Sequence, residues 1–174
     1  MKGLLSLTTA VRKLAAIVAC TAVLSLFALP SSAQAATATA NLTVTATVIS
    51  VCIVSNGAVA FGSYDPTSGT ALDQSGTFTV TCTKGTSATV GLNTGANASG
   101  SVRRMTDGTD FLSYELYKEV GRTNVWGNAG GALVSLAAAA SNLPQTQTVF
   151  GRVTAGQNVG VGAYLDTVLI TVTF

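Results

Sequence analysis

Cys52 and Cys82 are the reactive side chains that matter most once the N-terminal leader is set aside. A single pair of thiols in an exported chain is most simply one disulfide, with two free buried thiols as the alternative. Closing a loop of about 30 residues would stabilise a fold by on the order of 3–4 kcal/mol in the chain-entropy account. The rest of the inventory is poor in chemistry. The sequence has no histidine, so neither a Ser–His or Cys–His pair nor an imidazole metal site can be assembled. Lys84, two residues after Cys82, reads as a solvated turn lysine rather than a base for a nearby serine. Asp107 and Asp110 in TDGTDF offer two carboxylates where calcium takes six or more oxygens, so they read as an Asx turn. Arg103-Arg104 reads as the solvated end of a strand, and Trp126 as a core residue, with sugar stacking as its sharper alternative. The glycines follow no phosphate-cradling spacing, and the sequon Asn97-Ala98-Ser99 carries little information. No enzyme activity, metal or cofactor is expected.

The leader accounts for much of the apparent basicity. Lys2, Arg12 and Lys13 precede an apolar run from Leu14 to Leu29, then Pro30 and SSAQA, with Ala33 and Ala35 in the small-x-small arrangement of a cleavage site. Residues 1–35 are therefore expected to be a signal peptide, Cys20 included, with no stable membrane insertion after cleavage. From Ala36 onward, Lys84, Arg103, Arg104, Lys118, Arg122 and Arg152 face seven acids, a net charge of −1. That balance removes the usual electrostatic footprint of nucleic-acid binding.

Nothing beyond residue 36 has convincing helical periodicity. Short alternating runs rich in Thr and Val are separated by turn formers such as YDPTSG (64–69), NTGANASGS (93–101) and GNAGG (127–131). This pattern predicts an all-β sandwich with strands over 37–48, 50–55, 58–62, 76–83, 87–93, 111–119, 146–154 and 165–174. LVSLAAAASNLPQ (133–145) is too short of helix to be more than a connection with a short strand or turn. Both ends of the processed chain are expected to be alternating apolar strands. In TATANLTVTATVIS (37–50), Ala38, Ala40, Leu42, Val44, Ala46 and Val48 share one face; near Phe174, so do Val168, Ile170, Val172 and Phe174. Exposed edges of this kind invite pairing with another chain.

Cys52 followed by VAFGSYD (59–65), GTFTVTCTKGT (76–86), RRM (103–105), LSYELYKEVGRTNVWG (112–127), VFGRV (149–153) and GAYLDTVLITVTF (162–174) resembles the spore coat protein U domain, the pilin family of archaic chaperone–usher pili. The resemblance spans essentially all of the chain after residue 36. It implies an incomplete immunoglobulin-like β-sandwich that lacks its last strand and is completed by a donor strand from a neighbouring subunit. Residues 36–48 would be the donor extension and 49–174 the pilin domain. The donor face would be drawn from Ala38, Ala40, Leu42, Val44, Ala46 and Val48, with Leu42 and Val44 binding most strongly. The receiving groove would be bordered by Val168, Ile170, Val172 and Phe174, the Phe174 carboxylate anchoring the chaperone.

The resemblance further implies a homo-polymer of identical or related pilin subunits, a periplasmic chaperone, an outer-membrane usher, and passage through the periplasm to a cell-surface pilus serving adhesion or biofilm formation. Main-chain hydrogen bonds would supply affinity and alternate side chains would fill pockets; a head-to-tail contact that does not close generates an open filament. Two other functions compete. One is a secreted spore-coat or matrix protein with a self-contained sandwich, in which 37–48 is simply a first strand. The other is a small carbohydrate-binding module using Trp126 and Tyr117.

Overall fold

The computed structural model describes residues 34–174. The expected signal peptide lies outside the described residues, apart from Gln34 and Ala35. The chain divides into two units, Met1–Val44 and Thr45–Phe174. In the first, residues 34–44 are exposed throughout and belong to no strand.

The second unit carries eight strands: β1 (Cys52–Val54), β2 (Leu72–Cys82), β3 (Ala88–Leu92), β4 (Arg103–Thr106), β5 (Phe111–Tyr117), β6 (Val134–Leu136), β7 (Gln145–Val153) and β8 (Ile170–Thr173). They form two antiparallel sheets, a five-stranded one in the order β1-β2-β7-β5-β4 and a three-stranded one in the order β6-β3-β8. The expected all-β architecture is what the chain adopts.

Alternation builds the layer between the sheets. Phe78, Val80 and Cys82 of β2, Leu112, Tyr114 and Leu116 of β5, and Val149 and Val153 of β7 are buried. They meet Ala88, Val90 and Leu92 of β3 from the opposite sheet. Full burial of each large apolar side chain contributes roughly 1.5–3 kcal/mol. Trp126 closes this core; its indole N–H donates to the Val90 carbonyl and its ring packs on Phe78. A side chain at 1 % exposure cannot stack on a sugar, which removes the platform of the carbohydrate-binding reading.

Arg103 departs furthest from expectation. It is not a solvated strand end: it lies on β4, 2 % exposed, inside the sandwich. Its guanidinium donates to the carbonyls of Leu92 (3.0 Å), Asn93 (2.7 Å) and Trp126 (2.8 Å), and it pairs with the Glu115 carboxylate. These acceptors lie where β3 ends and where the 117–126 hairpin returns, so one side chain gives three carbonyls a donor and ties the two places together.

Three expected strands differ. Residues 58–62 form only an isolated bridge between Ala58 and Thr77. Residues 37–48 join no ladder. The 165–174 run is regular only over β8; upstream it is held by scattered bonds, Asn93 N–H to the Leu169 carbonyl (3.1 Å), Ala96 N–H to the Thr167 carbonyl (3.0 Å) and an isolated bridge between Leu165 and Thr106. The break follows from Asn93, whose side-chain oxygen takes the Leu169 N–H (2.8 Å) in place of a backbone acceptor.

The two turns that the acids mark are built from carboxylate caps. Asp107 accepts the N–H groups of Thr109 and Asp110, the expected Asx turn, and these bonds hold its carboxyl below its ordinary range. Glu119 organises the hairpin after β5 by accepting from the hydroxyl and N–H of Thr123 and from the N–H and side chain of Asn124. Those bonds, the Thr123 hydroxyl first, lower its pKa to about 2. A depressed carboxyl contributes stability that is full above its unfolded value near 4.5 and lost as pH falls through about 2. Acid titration followed by amide exchange is expected to show Thr123 and Asn124 losing protection in that window. In Glu119→Gln the same amides should exchange faster at neutral pH and show no such acid step.

Candidate functional site

An open cleft of about 860 Å³ runs between the two sheets on the side where β8 ends the three-stranded sheet. Its floor is apolar: Phe78, Leu92, Leu112, Leu116 and Val149 reach it from β2, β3, β5 and β7. One wall is the irregular segment 57–64; the other is 159–166 together with Val168 and Ile170. Val59, Phe61 and Tyr64 in the first wall, Val168 and Ile170 in the second, and Val172 beyond it are half-buried against the core. Wall and floor fit closely at Gly151, where an added Cβ would meet the Phe61 ring at 2.6 Å.

The cleft's polar groups are already paired with one another. Tyr64 donates its hydroxyl to the Thr154 carbonyl and accepts the Gln157 N–H. Tyr114 donates to Asp166 (2.6 Å), which also accepts the backbone and side-chain N–H groups of Asn97. Burial, and then the bond to Asp166, push the Tyr114 phenol well above its ordinary value. Among the described residues no buried side-chain polar atom lacks a partner. What remains on offer is apolar surface and main chain: the outer edge of β8 is hydrogen-bonded to no strand, and 59–64 joins no ladder. Such a site suits an extended segment with alternate apolar side chains better than a polar small molecule, whose orientation needs convergent free polar groups.

The residues expected at this site fall into two groups. Val168 and Ile170 line the groove, and Val172 shares their face; all three are half-buried and alternate with exposed Leu169, Thr171 and Thr173. Phe174 is 56 % exposed and lies beyond the last paired residue. Residues 34–50 are exposed, Leu42 at 89 % and Val44 at 83 %, and belong to no strand. The expected disulfide is formed: Cys52 and Cys82 face each other in the β1–β2 register and are bonded. Sequence reasoning missed the 57–64 wall and the Tyr114–Asp166 latch. The alternation of Val59 and Phe61 carried a signal for the wall, whereas nothing local links residues 114 and 166.

Comparison with known proteins agrees with this architecture. The chain is 42 % identical over 176 residues to Protein U of Myxococcus xanthus, covering 91 % of this chain and 97 % of that one. In structure it is similar to a chain of the CsuC–CsuE chaperone–tip adhesion subunit pre-assembly complex from archaic chaperone–usher Csu pili of Acinetobacter baumannii. That likeness has a TM-score of 0.54 at 24 % identity over 74 % of this chain, which spans 40 % of the other; it bears on the fold alone. Residues 38–171 match the Spore Coat Protein U domain, and with a curated relative this similar along its length, the chain belongs to that family.

Proposed function

We propose that the protein is a structural subunit of a cell-surface filament, polymerised by donor-strand exchange. The observation that carries this reading is a pair of complementary features in one chain. A long apolar groove lies beside the unpaired edge of β8, and a free alternating segment, 36–48, has the periodicity to fill it. The segment would lie in the groove of a second copy as an added strand, its Ala38, Ala40, Leu42, Val44, Ala46 and Val48 facing the floor. Because the donor and acceptor surfaces differ, the contact repeats without closing and yields a filament. A periplasmic chaperone would occupy the groove before assembly and an outer-membrane usher would exchange it. A chaperone is proposed by analogy, because the Csu chain of similar fold was solved in a chaperone–subunit complex.

A coat or matrix role is favoured by the family's description and by the match to Protein U. A self-contained sandwich in which 37–48 is an intrinsic strand is not supported, because those residues are exposed and join no ladder.

Deleting residues 36–48 tests the proposal. The truncated chain is expected to stay folded with a chaperone but form no SDS-resistant polymer, and a synthetic 36–48 peptide should raise its melting temperature. A truncated chain that unfolds and gains nothing from the peptide would return the segment to its own sandwich and sink the proposal.

A further inference from the structure

The position of the disulfide has a mechanical consequence that rests on the donor-exchange reading. In a strand-exchanged filament each subunit is gripped twice: its own residues 36–48 lie in one neighbour, and its groove holds the segment of the other. Tension along the filament therefore enters a subunit at about residue 49 and leaves through the strands bordering its groove.

Along the backbone alone, that route is weak. β1 contributes three paired residues, Cys52↔Cys82, Ile53↔Thr81 and Val54↔Val80. After Val54 the chain does not enter a ladder again until Leu72, apart from the single bridge at Ala58. Within that stretch lies 57–64, one wall of the groove. A pull that peeled β1 would next draw on this wall, so tension at one end of a subunit would open the site that holds its neighbour at the other.

The Cys52–Cys82 bond provides a second route. Cys82 is the last residue of β2, and a short turn leads to β3 at Ala88. β3 pairs with β8 from Thr89↔Thr173 to Leu92↔Ile170, and β8 borders the groove. We propose that the disulfide is a tension bypass: it passes the pull from the donor segment through Cys82 and β3 to β8, and leaves residues 53–71, with the groove wall, unloaded.

Full-chain filaments stretched in an optical trap, before and after reduction with a phosphine, test this. Labelling of two thiols per subunit confirms the reduction, and filaments of a Cys52→Ser/Cys82→Ser chain replace reduced ones where the bond resists the reagent. Oxidised filaments are expected to rupture without prior lengthening. Reduced ones should first lengthen in a discrete step of at most about 70 Å per subunit, the span of the roughly twenty residues from Cys52 to Leu72 at ~3.3–3.6 Å each, and then shed neighbours at lower force. Rupture at lower force without that step would mark a bond that only stabilises the fold and would overturn the bypass, as would identical traces in both states. A full chain that forms no filament with its donor segment intact overturns the donor-exchange reading itself.

Discussion

Replacing Arg103 with methionine is expected to destabilise the sandwich by about 3–5 kcal/mol, the cost of removing a buried guanidinium that serves three carbonyls and pairs with a partly exposed carboxylate. The side chain is 2 % exposed and donates to three backbone carbonyls besides pairing with Glu115. Methionine fills much of the volume and supplies no donors. The carbonyls of Leu92, Asn93 and Trp126 are then left without the guanidinium, each unsatisfied buried acceptor costing about 1–3 kcal/mol before relaxation. Lysine retains the charge but cannot present the fork, so Arg103→Lys should recover only part of the loss. Urea denaturation would register the methionine variant as a midpoint lowered by about 2 M at an m-value near 2 kcal/mol/M. Arg104 provides the control. It donates to the Asn97 carbonyl and lies over the Phe111 ring at 4.0 Å on a more accessible face. Its methionine variant should stay within about 1 kcal/mol of the parent. Equal midpoints for the two variants would contradict the place assigned to Arg103.

Replacing both Leu42 and Val44 with serine is expected to abolish polymerisation while leaving the folded unit intact. They are the large apolar residues of the donor face before Val48, flanked by Ala38, Ala40 and Ala46. Burying each from an exposed state contributes roughly 1.5–3 kcal/mol, so losing both removes about 3–6 kcal/mol from the strand contact. At 1.4 kcal/mol per tenfold, a 36–48 peptide carrying both serines should bind the truncated chain about 10²- to 10⁴-fold more weakly than the parent peptide. Serine in place of Ala38 and Ala40 removes far less apolar area and should change affinity by less than about tenfold. The contrast is the informative part. A uniform loss across all four positions would mean that main-chain pairing, rather than the two large side chains, sets the affinity.

These two experiments probe opposite kinds of residue, and the difference explains what could be read before the fold was known. Leu42 and Val44 declare themselves through period-2 alternation, a local property that needs no neighbour to be legible. So do the core positions of β2, β5 and β7, where apolar residues at every second position became the buried layer. The disulfide was legible for a similar reason: once a signal peptide is expected to remove Cys20, one pair of cysteines leaves few pairings to weigh. Arg103 was not legible. A pair of arginines followed by Met, Thr and Asp has the local signature of a wet strand end. Its burial depends on carbonyls supplied by residues 92, 93 and 126, which only the packing of both sheets brings together.

The groove marks the same boundary. Local pattern was sufficient for an all-β class, for the alternating segments 37–48 and 165–174, and for the cysteine pair. Pairing was beyond it. Whether an alternating run becomes a strand depends on a neighbouring edge, and edges exist only after the sheets have assembled. Residues 58–62 and 37–48 have strand composition without a ladder, whereas β4 has a ladder despite unpromising composition. The cleft beside β8 is likewise a property of two sheets and two irregular walls. Its floor comes from four strands far apart in sequence, so no window of the chain contains it.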